Sequence, residues 1–240
     1  MTEDERRYEM TRQKHQTAYV CRTRFERHGA TAYIGHLDLM KVFERALKRA
    51  DLPLLYTQGY NPRPMLVFAL PLGVGIETSG DYVDVSLSVT VPAEEFMERL
   101  NRELPEGVKA LSCINIDEPK RSLMSVVTVA TYKLKGRGIT KGVIGLFARE
   151  RLEIEKKSKG KIKTTDIREL LIKITGTEGP DSVEVMVYAG SSRNLRPDSI
   201  FAALVKYEGF DAGSIDDTAV ERTALYGGEY PDIEGIEGLV

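Results

Sequence analysis

Hydrophobic period alternates along this chain in one order, and the order occurs twice. Tyr19–Arg27 alternates Tyr, Cys, Thr, Phe and Arg against Val, Arg, Arg and Glu, the two-residue period of a strand with one polar face. From His36 to Ala50 the period becomes helical. Leu39, Phe43, Ala46, Leu47 and Ala50 form one apolar stripe, and Pro53 stops it. Met65–Leu70 and Tyr82–Val89 read as strands. Pro92–Leu104 reads as a short helix with proline near its first turn, and Val108–Ile116 as a further strand.

The second half repeats the pattern. Ser125–Leu134 reads as a strand and Thr140–Glu155 as a helix carrying Val143, Phe147, Arg151 and Ile154. Ile167–Ile174 and Ser182–Tyr188 read as strands around a Gly176–Pro180 turn. Pro197–Lys206 reads as a helix with Ile200, Ala203 and Leu204 on one side, and Ala219–Tyr226 as a last strand. Half-buried strands and one-sided helices bury their apolar faces against each other. The expected fold is therefore α+β, with two tandem ferredoxin-like (β-α-β-β-α-β) units. Their boundaries are 18–117 and 123–226, with a flexible lead at 1–17 and a loosely ordered acidic tail at 227–240.

A length of 240 residues, 42% of them hydrophobic, suffices for two compact domains. No run approaches the roughly eighteen apolar residues of a membrane helix, and the polar start Met1–Arg7 lacks a signal core. A cytoplasmic protein with no membrane partner is expected. Cys21 and Cys113 lie in apolar runs without metal-ligand spacing, so buried free thiols are expected, with no metal and no cofactor. P-loop, G-x-G-x-x-G, G-x-S-x-G and HExxH motifs are missing, and Gly73-Val-Gly75 reads as a turn.

The net charge of −2 excludes a protein that coats nucleic acid uniformly, but the charge is unevenly placed. Between Arg22 and Pro64 there are eight Lys/Arg against four acids, and from Gly209 onward eight acids against Arg222 alone. Lys41, Arg45, Lys48 and Arg49 share a helix face interrupted only by Glu44. That face is either simply solvated or binds phosphates through counterion release. The loop Tyr56-Thr-Gln-Gly-Tyr-Asn-Pro-Arg-Pro64 adds Tyr56, Tyr60, Asn61 and Arg63, stacking and hydrogen-bonding groups held by Pro62 and Pro64. Unpaired RNA bases stack on such side chains. A tight turn with its tyrosines on the core and a protein–protein contact are the other readings. Arg22 and Arg24 would add cations on one sheet face.

His36 and Asp38, with Tyr33 before them, are candidate acid/base groups at a helix start. The same residues also suit a turn allowed by Gly35 and an acidic first helical turn. Lys156–Lys163 is a basic loop or hairpin tip, and Arg193 and Arg196 form a weaker candidate anion site.

Several motifs in fixed order carry a family resemblance: Cys21–Arg27, Gly35–Met40, Arg45–Pro53, Tyr56–Pro64 and Phe68–Gly75. Together they resemble the bacterial radical-SAM-linked protein family, a domain of unknown function encoded beside or fused to radical SAM proteins. The likeness is dense over 19–90 and looser, through Asp166-Ile-Arg168 and Leu195-Arg-Pro197, to about 226. Gly35 stands where that family often has Ser, and Arg63 where it has His. The resemblance implies a radical SAM protein as partner. The chain itself lacks a cluster-binding cysteine motif. Three functions follow as expectations. The first is an RNA-binding accessory protein, the second a protein–protein adaptor, and the third an RNA-processing enzyme using His36 and Asp38.

Overall fold

The computed structural model describes residues 19–117, 121–158 and 161–239; the lead at 1–17 lies outside them. Strands β1 (Tyr19–Arg27), β2 (Leu66–Phe68), β3 (Ile76–Leu87) and β4 (Val108–Asp117) belong to the first half, with helices α1 (His36–Arg49) and α2 (Ala93–Glu103). The second half has strands β5 (Val127–Lys135), β8 (Leu171–Thr177), β9 (Ser182–Tyr188) and β10 (Ala219–Glu229). Its helices are the short α3 (Leu123–Val126), α4 (Ile139–Phe147), α5 (Pro197–Glu208) and α6 (Ala212–Asp216). A separate ribbon, β6 (Glu153–Ser158) with β7 (Lys161–Asp166), and a final strand β11 (Asp232–Gly235) complete the chain.

The protein is a mixed α+β fold built on one large, mostly antiparallel sheet. Its strands run in the order β4-β1-β3-β10-β5-β9-β8, with β2 on β3 and β11 on β10. In each half the fourth main strand lies beside the first, then the third, then the second. The halves join through a parallel pairing, Val220–Arg222 of β10 against Ile76–Thr78 of β3. On that same edge of β3, β2 occupies Val83–Val85. Gly80 lies between the two partners, and a Cβ there would sit 2.2 Å from the Thr223 carbonyl oxygen. The junction therefore requires glycine at this position.

Helix α1 forms as its stripe predicts. Leu39, Phe43, Ala46 and Leu47 are buried, Asp38 lies in the first turn, and Lys48 and Arg49 lie in the last, where each charge favours the helix dipole. The helix ends at Arg49, Asp51 just beyond it turns the chain with φ +51°, and Arg99 of α2 donates two hydrogen bonds to the Ala50 carbonyl. The stripe meets β1 and β2 through Phe25, Phe43 and Phe68, whose rings meet edge to face with centroids 5.1–5.8 Å apart. Such pairs contribute about 0.5–1.5 kcal/mol each beyond the area they bury. A second core packs α4 and α5 on β5 and β9.

Two expectations are corrected. The helix expected over Thr140–Glu155 ends at Phe147, and Glu153–Ser158 is a strand. Past Phe147 the buried positions, Leu152 and Ile154, come every second residue, which is strand spacing. Arg168 supplies the stop by donating to the Phe147 and Arg149 carbonyls. The segment expected to be a loose acidic tail instead continues β10, pairs as β11 and ends in a 3-10 turn with Ile236 fully buried. Arg22 of β1 holds it by donating to the carbonyls of Ile236, at 3.1 Å, and Leu239.

Candidate functional site

The outward face of α1 and the loop 56–64 lie side by side. Lys41, Arg45, Lys48 and Arg49 are all exposed, and the Lys48 ammonium lies 5.8 Å from the centre of the Tyr56 ring. Lys41 pairs with Asp38 at 2.9 Å and Arg49 with Glu103 at 2.8 Å. Arg45 and Arg63 have no ion-pair partner among the described residues.

The loop closes on itself. Thr57 donates its N–H to the Arg63 carbonyl at 2.8 Å, Arg63 donates its own to the Thr57 hydroxyl at 3.0 Å, and Tyr56 bridges to Pro64. At the tip, after Gly59 with φ +140°, Tyr60 is 99% exposed, with Asn61 and Arg63 also exposed. Tyr60 is thus not laid on the core. Eight of the ten expected binding residues, all but Arg22 and Arg24, are exposed on α1 and this loop.

Arg22 and Arg24 do not join them. Arg22 is 2% exposed and forms a bidentate pair with Asp84 on the neighbouring strand, at 2.9 and 3.0 Å. The C-terminal segment closes over Arg22 and four of its five guanidinium N–H groups are engaged, so it is not presented to a phosphate at the surface. Arg24 is half-buried and donates to the Ser79 carbonyl.

The acid/base candidates are also separated. Asp38 is exposed and engaged by Lys41, and Tyr33 is 73% exposed at the end of a 3-10 turn. The His36 ring stands edge-on to Phe68 at 5.3 Å, and its Nδ1 is buried without a partner. Burial, then the positive charges of Arg222 and Arg27, hold its pKa below the usual imidazole value despite Asp81. No hydrogen bond joins His36 to Asp38 among the described residues.

What the sequence reading missed is the polar centre where the halves meet. Arg222 is 1% exposed and grips Asp81 with two hydrogen bonds of 2.7 Å, while also donating to the Leu70 and Pro71 carbonyls. Arg27, fully buried, donates to the carbonyls of Ile34, Gly73 and Ile76. The two arginines hold the 70–76 loop from behind. In front of that loop, a cleft of about 590 Å³ is lined by Tyr33, Glu77, Phe201 and Asp217, and an adjoining one of about 400 Å³ by Tyr132, Asn194, Arg196 and Arg222. The only sequence signal was Arg222 itself, the lone base of an acidic segment.

Among the described residues, no group of three or more His, Cys, Asp or Glu is placed to hold a metal ion. No described helix is long and apolar enough to cross a membrane. No curated protein matches the chain. A family model does match, over residues 21–197, a span that includes most of β1, all of α1, the 56–64 loop and Arg196. The chain belongs to the DUF2344 family, uncharacterised proteins conserved in bacteria.

Proposed function

We propose that this protein is a cytoplasmic RNA-binding accessory protein whose contact surface is the outer face of α1 together with the 56–64 loop. The observation that carries this reading is the side-by-side placement of Lys48 and Tyr56, which joins the helix's cations to a stiff loop with Tyr60 at its tip. Arg45, Lys48 and Arg63 would contact phosphates, and Tyr60 would stack on an unpaired base. Lys41 and Arg49 have carboxylate partners and play the lesser part.

Each half is read as a ferredoxin-like unit. The support is the fourth–first–third–second strand order within each half. The sequence resemblance to radical-SAM-linked proteins adds a radical SAM enzyme as the partner to which bound RNA would be presented.

A salt titration of binding to single-stranded RNA tests this reading. Arg45→Ala, Lys48→Ala and Arg63→Ala together should weaken binding and reduce the slope of log affinity against log salt by about 2, at roughly 0.7 for each phosphate no longer neutralised. An unchanged slope and affinity in that variant would remove RNA from this surface. Nuclease-resistant co-purification of a radical SAM enzyme, abolished in the same variant, would instead assign the surface to a protein adaptor.

A further inference from the structure

We propose that the cleft between the two halves binds one small anion, a carboxylate or a phosphate monoester, at Arg196 and Asn194, in the field of the buried Arg222, whose own N–H groups stay on Asp81 and the Leu70 and Pro71 carbonyls. This site is separate from the RNA surface and does not depend on it. The cleft, about 400 Å³, lies within the usual size of small-molecule sites. Arg222 and Tyr132 line it from the sheet, while Asn194 and Arg196 line it from the start of α5.

Charge identifies the ligand. Arg222 lines the cleft and Arg27, one layer further in, donates to the carbonyls of Gly73 and Ile76 in its wall; both guanidinium groups are buried, and the carboxylate of Asp81 balances one of their two charges. Asp81 is engaged by Arg222 through both oxygens. Arg27 has only carbonyl partners, and its Nε has none. The buried cluster therefore carries one positive charge in excess, which is costly away from water unless an anion approaches it.

The mouth of the cleft supplies further donors. Arg196 is exposed and has no ion-pair partner among the described residues, and the Asn194 side chain carries two N–H donors. Helix α5 begins at Pro197 without a side-chain cap, and Asp198 in its first turn already offsets the positive end, so Arg196 and Asn194 are the donors left to the opening.

Size is set by the neighbouring compartment. Glu77, Asp198, Asp216 and Asp217 line the larger, adjoining cleft. Asp198 lines both, so the smaller cleft also carries a carboxylate and an anion is favoured only at its Arg196 end. A polyanion such as RNA would meet these carboxylates along its length, whereas one small anion would not.

The test is titration calorimetry with inorganic phosphate and with malonate, at constant ionic strength set by chloride. Saturable binding of either anion is expected, and the stronger of the two identifies phosphate or carboxylate as the preferred group. Asn194→Ala with Arg196→Ala should weaken it roughly tenfold or more, as loss of charge-assisted hydrogen bonds does. Both side chains lie at the surface, so the double variant should melt as the parent does. Arg45→Ala with Arg63→Ala should leave anion binding unchanged. The inference is overturned if neither anion binds above chloride, if the Asn194/Arg196 variant binds equally well, or if single-stranded RNA competes for the site.

Discussion

Arg222 and Asp81 form a bidentate ion pair across the junction, each with about 2% or less of its side chain exposed. Arg222 sits on the last main strand of the second half and Asp81 on the third strand of the first. Burial works against the charge on Arg222, but the Asp81 carboxylate and Tyr132 outweigh it and raise its pKa. Removing one partner of such a pair leaves an uncompensated buried charge, a loss of about 3–5 kcal/mol. Arg222→Met and Asp81→Leu should each destabilise on that scale in urea unfolding. The double variant should lose less than the sum of the singles. Strict additivity would show that the pair does not couple the halves.

Gly80 carries a second prediction. Ala at this position would place its Cβ 2.2 Å from the Thr223 carbonyl, a backbone atom that can move only with β10. Gly80→Ala should therefore cost about 1–3 kcal/mol, the usual range for overpacking. Hydrogen exchange should rise first in Val220–Arg222, where β10 pairs with β3. Protection unchanged there would contradict the close approach.

The pH dependence follows from His36. Its pKa in the folded protein lies below the 6.5 of a free imidazole, through burial and then through Arg222 and Arg27. Below pH 6.5 the unfolded chain binds a proton that the folded protein resists, so the stability His36 contributes is complete above that value and declines as pH falls. The melting temperature of the parent should drop between neutral and mildly acidic pH more steeply than that of His36→Asn. Parallel curves would refute the assignment.

The two thiols should differ. Cys21 is buried and its thiol donates to Asn115 Oδ1 at 3.3 Å; the neighbouring Cys113 sulfur, together with burial, pushes its pKa up. Cys113 is half-buried, and the adjacent Cys21 thiol lowers its pKa. Because the thiolate is the reactive form, iodoacetamide should label Cys113 first, as read by peptide mass spectrometry. Preferential labelling of Cys21 in the folded protein would be inconsistent with this arrangement.

The sequence displayed α1 and most strands directly, because each buries one face of a local period. It did not display the end of the second-half helix at Phe147, since the stop comes from Arg168, twenty-one residues onward. Nor did it display the ordered C-terminal segment, whose carbonyls are held by Arg22, more than two hundred residues away. Arg22 was read as a surface cation because a strand's polar face looks alike whether water or another segment covers it. The loop tyrosines and the α1 cations were legible since exposure and charge are local. The cleft was not, because its walls come from both halves.

Binding of unpaired RNA by the α1–loop surface is tested most directly at Tyr60. Affinity for single-stranded RNA at fixed low salt should fall in Tyr60→Ala by about 1–3 kcal/mol, the contribution of one stacked base. Duplex RNA should bind both proteins alike. Equal single-strand affinity in the parent and Tyr60→Ala would contradict RNA binding at this surface.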